Sequence, residues 1–298
     1  MTRGPVVAIH AGAGAGRAVL AQGERCHAAL RRALESAREA LESGGDATAA
    51  VQAAVRVLED FELFNAGHGA ALCSDGTAEL SAAVMRGSDR AAGAVAALRR
   101  TRRPIDAAGC VLGTDQVLLI GEHGDRFAAE MGIEQVANEY FITDRQREFL
   151  EDRLAGAAEA HGTVGAVCLD AQGGLAAATS TGGISGQPPG RVGDSPLIGA
   201  GTWADDRAAV SCTGDGEMFV RAAAAHSVTA LVARGTGLAE ACAAVLGDVG
   251  TLGGQGGMIA VDAHGNAALP FVTAAMPRGV WRPGQEPVVA LGPRDGPY

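Results

Sequence analysis

The sequence contains no lysine: all 24 of its cationic side chains are arginine. That absence removes a phosphate-binding P-loop lysine, a pyridoxal Schiff base and a lysine general base in one step. Paired cysteines are missing too. The six cysteines, at positions 26, 73, 110, 168, 212 and 242, lie far apart with no CxxC, and four sit inside apolar runs. Thiols buried in a reducing compartment fit this pattern better than a disulfide framework or a zinc site. No run of about 18 apolar residues could span a membrane, and the apolar run in MTRGPVVAIHAG is too short for a secretion signal. The seven histidines show no metal-ligand spacing. The expectation is a soluble, cytoplasmic protein.

The net charge of −10 argues against nucleic acid or an anionic membrane as a partner and is compatible with a small zwitterionic substrate. Hydrophobic residues, 47% of 298, are spread along the chain, so it can bury a large core as one or two domains. The 44 glycines follow no collagen period and form no low-complexity block; they mark tight turns and close backbone approaches.

Pro5 to Ile9 reads as a buried strand entering a glycine-rich turn. Residues 24–43 place Ala29, Leu30, Leu34, Ala37 and Leu41 on one helical face, and Asp46 is an N-cap for a second helix bearing Val51, Val55 and Leu58. Strands are expected at 93–98 and 117–121, and a charged helix over 144–160. The text then changes. TVGAVCLD and LAAATST read as a hairpin whose turn takes positive φ at Gly173 and Gly174. LIGAG (197–201) and AAVSCTG (208–214) read as further strands, 217–233 and 237–247 as helices, and GMIAVDAHGNAAL as a closing hairpin. Hairpins dominate over βαβ alternation, which points to an α+β fold of two largely antiparallel sheets packed face to face with helices outside, a four-layer αββα sandwich.

Several chemistries fail on spacing. HAGAGAG (10–16) follows a strand but is G-x-G-x-G, with no βαβ unit and acidic strand end behind it, which weakens a dinucleotide site. The nearest candidate for a nucleophile elbow, GISGQ (183–187), fails at its last position. His10 and His161 read as structural rather than catalytic. Threonine remains. A threonine hydroxyl needs an adjacent base, and its own freed α-amino group serves, because a reference pKa near 8 leaves part of it neutral at physiological pH. That requires cleavage just before the threonine, as at Gly162-Thr163, where the glycine leaves its carbonyl open to attack. Alone, the pair could equally be a turn opening a strand.

Its company decides. HGTVGAV (161–167) is joined by LFNAGHGA (63–70), TSTGG (179–183), GRVGDSP (190–196), GAGTWADDR (199–207) and CTGDGE (212–217). Together with VAIHAGAG near residue 7, NEYFITDRQREFL at 138–150 and FVTAAMPRG near 279, this set resembles the plant-type asparaginase/isoaspartyl peptidase family of N-terminal nucleophile hydrolases, over nearly the whole chain.

The resemblance implies that family's αββα fold in a single domain, cut after Gly162 into an α subunit (1–162) and a β subunit (163–298) that assemble as (αβ)2. It implies Thr163 as nucleophile, Thr181 as the second threonine assisting self-cleavage, and Asn65 bordering the nucleophile. Arg191 and Asp194 would hold the substrate's α-carboxylate and α-ammonium, within a binding stretch that includes Val192, Gly193, Asp215 and Gly216. Thr213 and Gly214 would form the oxyanion hole. No catalytic cofactor is implied; a structural sodium on the backbone carbonyls of Leu58, Glu59, Phe61, Phe64, Ala66 and His68 is. The implied reaction is hydrolysis of the β-amide of asparagine or of an isoaspartyl dipeptide; a glycosylasparaginase-like activity, or an uncleaved binding protein, are the alternatives.

Four departures from the family's pattern stand out. Ala11-Gly12 replaces a double glycine, Ser81 (in ELSA) and Arg86 (in MRG) replace aspartates, and the linker before Thr163 shrinks to about AGAAEAH. An alanine forced to positive φ at position 11 predicts slow self-cleavage, and Ser81 and Arg86 predict an altered substrate preference.

Overall fold

A computed structural model describes residues 4–14, 21–156 and 162–293. Strand β1 (Val6–His10) is apolar on both faces because both are covered. Val7 and Ile9 join a cluster with Leu30, Leu34, Val51 and Val55 of the helices α1 (Gly23–Glu42) and α2 (Ala47–Glu59), while Val6 and Ala8 face a second cluster between the sheets. A strand covered on both sides loses the apolar–polar alternation of a half-exposed one. Asp46 caps α2 as expected, its carboxylate accepting the Ala49 N–H at 2.9 Å.

Among the described residues, eight strands form one sheet and four another. The first contains β1, β2 (Leu80–Arg86), β3 (Ala92–Leu98), β4 (Leu118–Ile120), β5 (Val164–Leu169), β6 (Leu175–Thr181), β11 (Arg278–Trp281) and β12 (Val288–Ala290), in the order β12-β11-β1-β5-β6-β2-β3-β4. Only β3–β4 is parallel. The second contains β7 (Thr202–Ala204), β8 (Ala208–Gly214), β9 (Gly256–Asp262) and β10 (Ala267–Ala268). Helices α1, α2 and α3 (Pro104–Leu112) cover the larger sheet, and α7 (Ala224–Val232) and α8 (Leu238–Thr251) cover the smaller. Val167, Leu169 and Ala177 meet Ile259 and Val261 between the sheets. This is the four-layer αββα sandwich. Strands from both sides of residue 162 interleave in the large sheet, so the core beneath it is shared by the two halves, whereas the cluster under α7 and α8 comes from the second half alone.

The differences from expectation have local causes. LIGAG is a turn, not a strand: Gly199 adopts φ 93° and its N–H reaches Thr202 O at 2.9 Å, so extended structure begins only at Thr202. In the β5–β6 turn only Gly173 has positive φ; Gly174 is required because a Cβ there would lie 2.5 Å from Asp170 Oδ2. The helix expected over 217–233 is broken into α6 (Gly216–Arg221) and α7 at Ala223, which is left-handed at φ 45°. The charged helix α5 (Asp144–Leu154) ends earlier than expected; residues 157–160 of that expectation lie outside the described residues. Strand β2, α3 and α4 (Gly121–Glu130) escaped the pattern reading: the alanine-rich β2, buried on both faces, carries no period.

Candidate active site

Thr163 sits immediately before β5, in the unbroken chain. Antiparallel pairing of β5 with β6, Val164 opposite Ser180, brings Thr181 beside it. The Thr163 Oγ1 hydroxyl lies 3.1 Å from Thr181 Oγ1 and 2.7 Å from the carbonyl oxygen of Gly162. Thr181 Oγ1 accepts the Gly183 N–H at 3.0 Å and approaches the same Gly162 oxygen at 3.1 Å. Asn65 comes from the loop after α2 and donates through Nδ2 to Gly162 O at 2.9 Å and to Gly183 O at 2.6 Å. Its Oδ1 is held by the Ala71 N–H at 2.6 Å, which fixes the orientation of the amide. The carbonyl preceding Thr163 thus faces two side-chain donors, Asn65 and Thr181, placed where negative charge would grow if Thr163 Oγ1 attacked its carbon.

Replacing Asn65 with alanine should therefore slow breakage of the 162–163 bond by about 10²–10³-fold, the usual loss of one oxyanion donor. A mass-spectrometric time course of cleavage measures this; cleavage at the wild-type rate would remove Asn65 from that role.

The turn after β1 packs on the same bond. A Cβ on Gly12, at φ 103°, would lie 2.9 Å from Gly162 Cα. The left-handed positions in this turn are Gly12 and Gly14, not residue 11. Ala11 is not among the positive-φ residues and donates its N–H to Pro277 O at 2.8 Å. The expectation of slow cleavage from a strained Ala11 is therefore corrected, since the strain it assumed is absent. His10 is fully buried and bonds through Nε2 to Ser211 Oγ at 3.0 Å. Burial pushes its pKa down to about 3, so it stays neutral and keeps the structural part assigned to it. His161 lies outside the described residues.

On the other side of Thr163 lie Arg191 and Asp194. They are not the surface ion pair that a spacing of three residues could suggest. Arg191 is only 12% exposed in its side chain and forms a bidentate pair with Glu217, Nε to Oε1 at 2.9 Å and Nη2 to Oε2 at 2.7 Å. Asp194 is buried, and among the described residues its Oδ2 has no hydrogen-bond partner. Burial raises its pKa to about 7 against the opposing pull of Arg191. A buried carboxylate oxygen without a donor suits a cationic guest. Gly193 and Gly216 make room for these groups: a Cβ on Gly193 would lie 2.9 Å from Arg191 Nη1, and one on Gly216 2.9 Å from Asp194 Oδ1.

Thr213 and Gly214 end β8. Gly214, at φ 147°, lines the cleft; Thr213 Oγ1 accepts the Ala13 N–H at 3.1 Å and remains free to donate its own hydrogen. Four expected binding residues, Val192, Thr213, Asp215 and Gly216, are not among those that line the cleft. The Asp215 carboxylate is turned to the Gln255 N–H at 2.7 Å. Ser195 and Ile184 line the cleft and were missed, as was Glu217; Ser195 and Glu217 both fall inside motifs already singled out, GRVGDSP and CTGDGE.

In the unbroken chain this cleft encloses only about 10 Å³, room for about one water. An amino-acid guest has no space there until the segment ending at Gly162 moves. Of the remaining departures, Ser81 is opposite Thr181 in the sheet and accepts the Ala97 N–H at 3.3 Å. Arg86 lies at the far end of β2, half-exposed and paired with Asp89 at 2.7 Å, so the expectation that it alters substrate preference finds no contact to act through.

Comparison with known proteins agrees with the motifs. The family described as asparaginase matches residues 3–290. The isoaspartyl peptidase of Escherichia coli K12 is 45% identical over 96% of this chain and 95% of that protein. The isoaspartyl peptidase/L-asparaginase of Bos taurus is 41% identical over 92% of each, and that of Homo sapiens 38% identical over the same shares.

Proposed function

This chain belongs to the asparaginase family, and from that premise we propose a self-processing hydrolase with Thr163 as its nucleophile. Its reaction is hydrolysis of the β-amide of asparagine or of an isoaspartyl peptide, releasing aspartate. The observation that carries the choice of nucleophile is the contact of Thr163 Oγ1 with Gly162 O at 2.7 Å, inside the donor set of Thr181 and Asn65.

In processing, Thr163 Oγ1 bonds to the Gly162 carbonyl carbon, the peptide C–N bond breaks, and the nitrogen takes the hydroxyl proton. Water then hydrolyses the resulting ester and leaves a free α-amine on Thr163. In turnover that amine takes the proton from Oγ1, which attacks the substrate's side-chain carbonyl carbon. The Thr213 hydroxyl and Gly214 N–H hold the oxyanion, the amine departs with the proton, and water releases aspartate from the acyl-enzyme. Arg191 and Asp194 hold the α-carboxylate and α-ammonium. The burial of Asp194 without a partner for Oδ2 supports this assignment.

The reading also includes an (αβ)2 assembly of subunits 1–162 and 163–298 and a cytoplasmic location, the latter supported by six cysteines in no disulfide. Among the described residues no helix is long and apolar enough to cross a membrane. A structural sodium ion is part of the proposal. The loop after α2 turns carbonyls inward at Gly69, where a Cβ would lie 2.3 Å from Glu62 O and 3.0 Å from Phe64 O. Of the six carbonyls from Leu58 to His68, those of Leu58, Glu59 and Phe61 already accept the N–H groups of Phe61, His68 and Phe64 at 3.4, 2.8 and 3.0 Å, and the second lone pair of each is available to a cation. The ion would stiffen the loop that carries Asn65.

Parallel assays on asparagine, an isoaspartyl dipeptide and a glycosylated asparagine, run with intact mass, test the reading; a protein that stays whole and turns over none of them is the uncleaved binder instead. The same assay across pH tests Asp194. Its pKa is raised to about 7 by burial in the unbroken chain; where that elevation persists after processing, acid converts it to a neutral carboxyl that cannot pair with an ammonium group. KM for asparagine is expected to rise about tenfold per unit below about pH 6, approaching a plateau above about pH 8. A KM flat across that range would contradict the assignment.

A further inference from the structure

We propose that Gln187 is a positioning residue for substrate binding, setting the Arg191 guanidinium at a fixed place relative to Thr163; this rests on the reading of Arg191 as the carboxylate anchor. Gln187 does not line the cleft. It stands behind Arg191, 3% exposed. Its Oε1 accepts the Ile184 N–H at 3.0 Å and the Arg191 Nη1–H at 3.3 Å, and its Nε2 faces Cys73 Sγ at 3.8 Å. Both neighbours on the first side are obligate donors, so chemistry assigns the oxygen there. The backbone is equally tied down: Gln187 N–H reaches Ile184 O at 3.1 Å, and its carbonyl accepts the Ser74 N–H at 2.8 Å.

The turn that carries Gln187 begins in the nucleophile's own network. Gly183 donates to Thr181 Oγ1 and accepts from Asn65 Nδ2. A Cβ at Gly183 would lie 2.2 Å from Gln187 Oε1, so the turn is built closely around that amide. Residues 181–187 therefore link the groups beside Thr163 to the guanidinium that would hold the far end of a substrate. Effective catalysis depends on this separation, because the reacting atoms must meet while the anchor is engaged.

Glu217 cannot supply the same constraint. Its side chain is 53% exposed, so its bidentate pairing neutralises charge while the carboxylate remains open to solvent. It occupies the Nε and Nη2 edge, and Gln187 takes one Nη1 hydrogen. Of the five guanidinium hydrogens, one on each Nη is left, and these form the end-on edge that a substrate carboxylate would take. Without the buried amide only the solvent-exposed Glu217 holds the guanidinium, and that edge is presented less precisely.

The test is steady-state kinetics on the processed enzyme with asparagine. Gln187→Met keeps the volume and removes the acceptor; KM should rise about tenfold, the worth of one hydrogen bond to a charged group, with kcat within about twofold and cleavage at Thr163 complete. Gln187→Glu retains an oxygen for both donors and should restore KM to within about threefold. In an Arg191→Ala background, Gln187→Met should change kcat/KM by less than about twofold, since nothing remains to position. Should the methionine variant fail to fold, Gln187→Asn, which withdraws the amide by one methylene, is expected to raise KM likewise. The inference is overturned by an unchanged KM, by a glutamate variant as poor as the methionine one, by an equal loss in the Arg191→Ala background, or by kcat and self-cleavage falling as KM rises. A large loss in Arg191→Ala beside an unaffected Gln187→Met brings down this inference alone; an unaffected Arg191→Ala brings down the anchor as well.

Discussion

Thr163→Ala should remain a single chain of 298 residues after prolonged incubation at 37 °C and release no ammonia from asparagine, while the wild type yields fragments 1–162 and 163–298. One hydroxyl is responsible for both outcomes. In the unbroken chain it stands against the carbonyl it would attack, and it meets Thr181 at 3.1 Å. In the cleaved enzyme it would carry the acyl group. Removing a nucleophile that works with its base typically costs about 10⁶ in kcat, so the substitution should abolish measurable turnover even if the chain were cut by other means. Thr163→Ser keeps the hydroxyl but loses the methyl that restricts χ1, and should process and turn over more slowly. The cleft's volume of about 10 Å³ adds an ordering: substrate cannot bind before the segment ending at Gly162 leaves. An alanine variant cut between Gly162 and residue 163, or a wild type that stays whole while hydrolysing asparagine, would refute the mechanism.

Arg191→Ala should lose most activity on asparagine and leave self-cleavage largely intact, because breaking the 162–163 bond involves no free α-carboxylate. Losing a charge-assisted pair to the substrate costs roughly 2–5 kcal/mol, or about 30- to 5,000-fold in kcat/KM. The structure adds a second consequence. Removing Arg191 leaves Glu217 without its bidentate partner beside Asp194, and two carboxylates facing one site should raise the Asp194 pKa further. Arg191→Lys should recover only part of the loss, since three donors on one nitrogen cannot reproduce the bidentate pair with Glu217, the bond to Gln187 and a two-pronged hold on a substrate carboxylate. A processed Arg191→Ala enzyme with near-normal kcat/KM would remove the arginine from the site. Measuring processing and turnover on the same preparation separates a binding defect from a folding one.

Where sequence reading succeeded, the signal was local. An apolar run becomes β1, Asp46 caps its helix through a contact three residues away, and one face of α1 is buried as its spacing requires. The family was legible for a different reason: its motifs are short, ordered along the chain and specific. Failures fell where a distant part of the chain decides. Nothing in LSAAVMR says that two sheet neighbours and a helix will cover it. LIGAG is as apolar as a strand, yet becomes a turn because Gly199 closes on Thr202. Position 11 was expected to bear the backbone strain that Gly12 carries without cost.

Composition and order along the chain were enough to determine the layered α+β class, the absence of lysine chemistry, and membership of the asparaginase family. Only the tertiary structure decided which groups meet. Asn65 reaches Gly162 across 97 residues and Glu217 reaches Arg191 across 26. Gln187, a residue without apparent chemistry in the sequence, is placed behind the guanidinium. Strand pairing brings these groups together: covalent order limits how far apart two residues can be, whereas only burial of the shared core, with strands from both halves interleaved in one sheet, determines how close they come.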